Sequence, residues 1–163
     1  MKQLAFALAV IHKAKVIHRD ISPSNVFVVG EKGLEQVKIG DFGMSRDITS
    51  ESSPSILSKG VGQYMYKSPE LVNGEDYNYA TDVYSLGLVF TRMNLSLNIL
   101  ELEALFEKLT HSSDDLQEMI GMNNKTINLI KGMTCRAPNE RIRAAEVREI
   151  LEKAYPNSHS KLA

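Results

Sequence analysis

The sequence predicts a mainly α-helical fold that carries one small β-hairpin. Three observations lead there. Apolar residues recur at helical spacing through most of the second half, two short β-branched runs lie close together near residue 30, and Gly, Pro and Ser clusters break the chain between these segments. A chain of 163 residues is long enough for one domain that buries roughly 70% of its unfolded surface.

The elements follow in order. Leu4, Leu8 and Ile11 share one face of a helix over about residues 2 to 14. The opening MKQLAFALAVIHKAK mimics a signal peptide, but its apolar run is too short to span a bilayer and reads better as a buried helix. The polar stretch HRDISPSN at 18 to 25 comes next, then a strand over Val26 to Val29, a turn at Gly30-Glu31-Lys32-Gly33, and a second strand over Gln36 to Ile39. This hairpin delivers the chain to Gly40-Asp41-Phe42-Gly43. Residues 45 to 60 are rich in Ser and Thr without a hydrophobic period, so they read as a mobile surface loop.

From Tyr79 the helical period returns, with Val83, Leu86, Val89 and Phe90 on one face of a helix expected to be central. Further helices are expected at about 99 to 110, 114 to 121, 124 to 134 and 143 to 154. His111-Ser112-Ser113, Gly121 and Ala137-Pro138-Asn139 separate them. Residues 156 to 163 read as a flexible tail.

Composition narrows the function classes. With 43% hydrophobic and 24% charged residues and a formal net charge of -1, the chain has no charge bias that would imply nucleic acid or an acidic membrane as partner. Its single cysteine, Cys135, cannot close an internal disulfide and suits a reducing compartment, the cytoplasm or the nucleus.

The residues that carry chemistry are HRD-x4-N followed by DFG. Such a pattern arises by chance in a chain of this length on the order of 1 in 10^5 times at average residue frequencies. Together with Ser68-Pro69-Glu70, Asp82-Val83-Tyr84-Ser85-Leu86-Gly87 and Arg141, it resembles the eukaryotic protein kinases, with the landmarks in the family's order over nearly the whole chain. The resemblance implies a kinase-like C-terminal (large) lobe over residues 1 to 155, holding the catalytic loop, DFG, the activation segment and the helical subdomain.

Phosphoryl transfer needs positioned metal ions on the phosphates and an acceptor hydroxyl that is oriented and relieved of its proton. By resemblance Asp20 is the base, and Asn25 and Asp41 are oxygen ligands to Mg2+ beside ATP. Pro23 stiffens the turn between Asp20 and Asn25. Phe27 is expected to touch the adenine from below, and Ser22 to lie at the nucleotide. His18 and Phe42 match positions that stack beneath the site. Arg19 resembles the arginine that orders a phosphorylated activation segment, with Thr49, Ser50, Ser52, Ser53, Ser55 and Ser58 as candidate acceptors. Glu70 and Arg141 are expected to form a buried ion pair, and Asp82 to accept backbone N–H bonds from the catalytic loop.

Departures from the family pattern are equally specific. Position 22 holds Ser where kinases acting on Ser or Thr usually carry Lys, so a cation near the transferred phosphate is expected to be absent. Gln63 stands where that group has Thr. Pro23 favours the Ser/Thr type over the tyrosine type, and Ile142 follows Arg141 where Pro is common.

These residues contain no G-x-G-x-x-G stretch, no Val-Ala-x-Lys strand and no partner Glu helix, so the N-terminal β lobe is expected from upstream sequence or another chain. ATP affinity of the large lobe alone is expected to be very low, because half a cleft cannot bury the ligand. The reading that follows is a kinase fragment acting on a protein substrate when an N-lobe completes it. The alternative is a catalytically inactive kinase-like protein, a pseudokinase or large-lobe mimic, that regulates another kinase by binding.

Overall fold

The computed structural model describes residues 1–47, 63–111 and 122–156. Helix α1 spans Lys2–Lys13, strand β1 Val16–Ile17, β2 Val26–Val29, β3 Gln36–Ile39 and β4 Arg46–Asp47. The helices that follow are α2 (Pro69–Asn73), α3 (Ala80–Asn94), α4 (Ile99–His111), α5 (Asn124–Thr134) and α6 (Ala144–Ala154). The expected helix at 114 to 121 lies outside the described residues, as do the serines and threonines of 49 to 58 and all but the first residue of the tail.

The mainly α fold with its small hairpin is as the sequence predicts. β2 and β3 pair antiparallel, Val26 opposite Ile39 and Val29 opposite Gln36. Gly30 and Gly33 take φ of 114° and 90° in the connecting loop, a backbone state that side chains disfavour. A second antiparallel pair, β1 with β4, was not expected. Ile17 lies opposite Arg46 and Val16 opposite Asp47, so residues assigned to the surface loop are strand instead. Two residues on each side carry no periodicity for a sequence reading to find.

α3 forms the centre. Its residues Thr81 to Thr91 are all buried, where the sequence suggested a single apolar face. The reason is its surroundings: α5 packs along it, and α1, α4 and α6 contribute Leu8, Phe106 and Val147 to the same core. Close approach of α5 requires Gly87, since a Cβ there would lie 2.7 Å from Thr134 Cγ2 and 3.0 Å from Met133 Cβ. α1 buries Leu4, Ala5 and Leu8 against α6, which settles the opening segment as a core helix. No helix among the described residues is long and apolar enough to cross a membrane.

Capping fixes the later helices. The Asn123 side chain accepts from the Thr126 N–H at 2.9 Å, and Glu146 accepts from the Arg143 N–H at 2.7 Å. α2 starts on Pro69 and ends on Gly74 at φ 69°, the usual division of labour between these residues.

The expected buried ion pair is present. Arg141 Nη1 and Nη2 meet Glu70 Oε1 and Oε2 at 2.6 and 2.9 Å, and both side chains are essentially unexposed (0% and 2%). Arg141 also donates to the carbonyls of Cys135, Arg136 and Ala80 and stacks 4.8 Å from the Tyr84 ring, so every donor is used. Burial pushes the Glu70 carboxyl up, but hydrogen bonds and charge from Arg141 outweigh it and leave the group below the usual carboxylate range.

Replacing Arg141 with Met strands that carboxylate and is expected to cost about 3–5 kcal/mol in urea unfolding at pH 7. In the native chain Glu70 has a lowered pKa, so its contribution is present above the unfolded value near 4.5 and is lost as pH falls through the folded one. In the variant burial is opposed only by the Glu70 N–H and the Ser68 hydroxyl, so the pKa rises and protonation relieves the cost. The stability gap therefore narrows as pH is lowered from 7 to 4, and a gap constant across that range would contradict this account.

Candidate active site

The site begins where α1 ends. Lys15, at φ 65°, turns the chain into β1, and the next residues are held by one buried carboxylate on α3. Asp82 Oδ2 accepts from the His18 N–H at 2.8 Å and Oδ1 from the Arg19 N–H at 2.8 Å, as the sequence led us to expect. His12 Nε2 adds a third contact to Oδ2 at 2.9 Å. Arg19 sits at φ 63°, a strained region for a residue with a long side chain, and the Asp82 bond to its N–H offsets that cost.

His18 packs beneath the loop as predicted. Its ring lies 4.8 Å from that of Phe42. The Asp20 N–H donates to its Nδ1 at 3.3 Å, so Nε2 carries the proton and donates to the Gly40 carbonyl at 3.0 Å. One ring thus joins the loop at Asp20 to the residue before Asp41.

Asp20 and Asn25 are brought together. Asn25 Nδ2 donates to Asp20 Oδ2 at 2.9 Å and to the Asp20 carbonyl at 2.8 Å, across the turn that contains Pro23. Because the amide nitrogen is used inward, the Asn25 carboxamide oxygen is the remaining acceptor. Asn25 enters β2 and Asp41 leaves β3 at the same end of the hairpin, where the Gly40 N–H donates to the Asn25 carbonyl at 3.0 Å. Asp41 takes φ 61°, a value short polar side chains tolerate, and its Oδ1 accepts from the Gly43 N–H at 3.2 Å.

Among the described residues no three His, Cys, Asp or Glu side chains form a metal cage. Mg2+ does not need one, since it usually keeps waters and takes one or two protein oxygens plus phosphate oxygens. The exposed Asp41 carboxylate and the Asn25 oxygen are hard donors of that kind.

Phe27 is 48% exposed on β2, and Val28, Val29 and Phe42 are exposed as well. The Phe27 ring lies over Gly40, where a Cβ would come within 2.9 Å of Cε2. Ser22 is buried, and its hydroxyl meets that of Ser24 at 2.9 Å. Gln63 Nε2 donates to the same Ser24 hydroxyl at 2.8 Å.

Arg19 and Arg46 stand on either side of one tyrosine. Both donate to the Tyr77 hydroxyl, at 2.9 and 3.3 Å, and both guanidinium groups lie within 6 Å of its ring centre, at 5.7 and 5.8 Å. Arg19 also reaches the Met44 and Ser45 carbonyls, which places its side chain just beyond Asp41-Phe42-Gly43. The Arg46 Nε is buried with no hydrogen-bond partner among the described residues. Arg46, Tyr77 and His12 escaped the sequence reading because nothing in their neighbours along the chain marks them.

Lys67 was missed as well. Its ammonium lies 3.4 Å from Asp20 Oδ1. A cation does stand at the candidate base, although it does not come from position 22. A cleft of about 450 Å³ is lined by Ser22, Pro23, Ser24, Gln63, Met65 and Leu102 among others.

Comparison with known proteins agrees with the geometry. The protein kinase domain model matches residues 1–155. The chain is 39% identical over 93 residues to eukaryotic translation initiation factor 2-alpha kinase 1 of Plasmodium falciparum (isolate 3D7), covering 57% of this chain and 6% of that protein. It is 34% identical to a putative serine/threonine-protein kinase A of Trypanosoma brucei brucei, over 98% of this chain and 36% of the relative. It is 30% identical to the interferon-induced, double-stranded RNA-activated protein kinase of Rattus norvegicus, over 92% of this chain and 28% of the relative. The chain thus spans only about a third or less of these relatives' length.

Gly40→Ala is expected to push the Phe27 ring off the hairpin end. Because that ring is half exposed it can swing into solvent, so unfolding should lose no more than about 1 kcal/mol. NMR should show the Phe27 ring resonances displaced while the Leu86 methyls stay in place. Displacement of both would mean that the hairpin end is packed into the core.

Proposed function

The chain belongs to the protein kinase family, and we propose that it is the large lobe of a Ser/Thr-type catalytic domain, transferring the γ-phosphoryl group of ATP to a protein hydroxyl when an N-lobe closes the site. The observation that carries this reading is the Asp20 carboxylate, held at 2.9 Å by Asn25 on a loop whose backbone is bonded to buried Asp82. Protein kinases as a family use ATP with Mg2+. Asp41 and Asn25 would hold the metal, which supplies neutralisation of phosphate charge.

In this reading the acceptor hydroxyl approaches Asp20 from the open side of the loop. Its oxygen forms a bond to the γ-phosphorus, and the bond from that phosphorus to the β–γ bridging oxygen breaks, with the electron pair leaving on ADP. The hydroxyl proton passes to Asp20. The chain's own contribution is orientation: Asn25 fixes the carboxylate, and His18 ties the Asp20 loop to the residue before Asp41. Phe27 offers one apolar wall for the adenine, and the cleft beside Ser24 and Gln63 offers room for the polypeptide around the acceptor. Arg19 and Arg46 would hold a phosphate of the activation segment, a role supported by their shared placement on Tyr77.

The second reading, a kinase-like regulator that acts by docking, draws on Ser22 and Gln63, which leave the family pattern. The two readings part at Asp20. In the whole gene product, incubated with radiolabelled Mg-ATP and a serine-containing protein substrate, Asp20→Asn is expected to lower kcat about 10^2- to 10^4-fold at a temperature where circular dichroism shows the variant still folded. No phosphoryl transfer by the native protein would favour the regulator.

Without an N-lobe, residues 1 to 163 are expected to gain no thermal stability from millimolar Mg-ATP. A gain of a few kcal/mol would mean a complete nucleotide site.

A further inference from the structure

We propose that Lys67 is the cation of this active site, brought to Asp20 by the segment beyond the activation loop rather than by the catalytic loop itself. The inference rests on the reading of Asp20 as the base and adds to it a residue that neither the motifs nor the family match points to.

The geometry is specific. Lys67 Nζ lies 3.4 Å from Asp20 Oδ1 while Asn25 Nδ2 lies 2.9 Å from Oδ2, so the two oxygens of one carboxylate are held by different partners. The Lys67 side chain is only 5% exposed and that of Asp20 12%. Lysines usually bury their methylene stem and keep the ammonium in water. An ammonium taken out of water costs free energy unless it is paired, and Asp20 is the carboxylate paired with it among the described residues.

Lys67 also sits on a rigid support. Its N–H donates to the Tyr64 carbonyl at 3.0 Å in a short 3-10 turn. Its neighbour Ser68 is fully buried and hydrogen-bonded to Thr81 on α3, and Glu70, three residues on, is locked to Arg141. A side chain held this way has little freedom to leave, which is what a transition-state group needs.

The same two segments are tied a second time. Gln63 reaches Ser24, and Ser24 meets Ser22, so positions 22 and 63, which depart from the family pattern, are linked through a third hydroxyl. Ser22 is neutral and its hydroxyl is engaged with Ser24, while Lys67 carries the charge. An ammonium has three N–H donors, and the contact with Asp20 Oδ1 uses one. Among the described residues the other two meet no acceptor, so they can serve oxygens of the phosphoryl group as negative charge develops on the β–γ bridging oxygen. Lys67 keeps its proton throughout, and the acceptor proton still goes to Asp20.

The test uses the whole gene product in two measurements. In the first, Lys67→Met is expected to lower kcat for phosphoryl transfer to a serine peptide at least tenfold, with the KM for ATP changed less than threefold. Adding Ser22→Lys to that variant should recover at least half of the loss, because position 22 lies two residues from Asp20 on the same loop. A lysine that only stabilises the fold would give a lowered unfolding midpoint and no recovery.

In the second, ATP carrying an acyl group on its γ-phosphate should transfer that acyl group to Lys67, as found by peptide mass mapping, and excess ATP should suppress the labelling. This readout needs no turnover. If the native protein transfers no phosphate yet Lys67 is labelled with ATP protection, the proposed function falls and the placement of Lys67 stands. If transfer occurs but Lys67→Met is silent, or Lys67 stays unlabelled, the inference about Lys67 is overturned while the kinase reading survives.

Discussion

One buried carboxylate organises this molecule. Asp82 sits on the first turn of the central helix with no exposed surface, and its two oxygens take the backbone N–H groups of His18 and Arg19 and a ring nitrogen of His12. Buried charge is expensive, and it is tolerated here because every contact is a hydrogen bond to the charged form. The return is positional. Two N–H groups fixed on a rigid helix define the path of the loop, including the left-handed backbone at Arg19, and Asp20 is the next residue.

From that anchor the rest of the site follows by short steps. His18 links the loop to Gly40, Gly40 links back to Asn25, and Asn25 closes on Asp20. A second anchor, the Glu70–Arg141 pair, fixes the segment that leads into α2 and so determines where Lys67 and Gln63 meet the loop of residues 18–25. Ser22 and Gln63 are joined through the Ser24 hydroxyl, and the ammonium beside Asp20 comes from Lys67 on the other segment.

Much of this was legible in the sequence, for reasons that differ by residue. The hairpin was readable because Val26 to Val29 and Gln36 to Ile39 are flanked by glycines that only a turn would favour. The roles of Asp82, Glu70 and Arg141 were readable because the family's landmarks recur in order, although composition alone says nothing of them. The β1–β4 pair was not readable, since two-residue strands have no period and their partners are about 30 residues apart. Nor was Lys67, because in the chain it is one lysine among polar and aromatic neighbours. Its meaning comes from a carboxylate 47 positions earlier that only the folded chain brings close.

The most direct measurement is amide hydrogen exchange on the native chain and on Asp82→Ala. If Asp82 holds the loop of residues 18–25 in this way, the His18 and Arg19 amides are protected in the native protein and lose that protection in the variant. The Asn25 side-chain amide should move with them, while amides of α5 and α6 stay slow to exchange. Loop amides that remain protected without Asp82, or that exchange freely with it, would contradict the account.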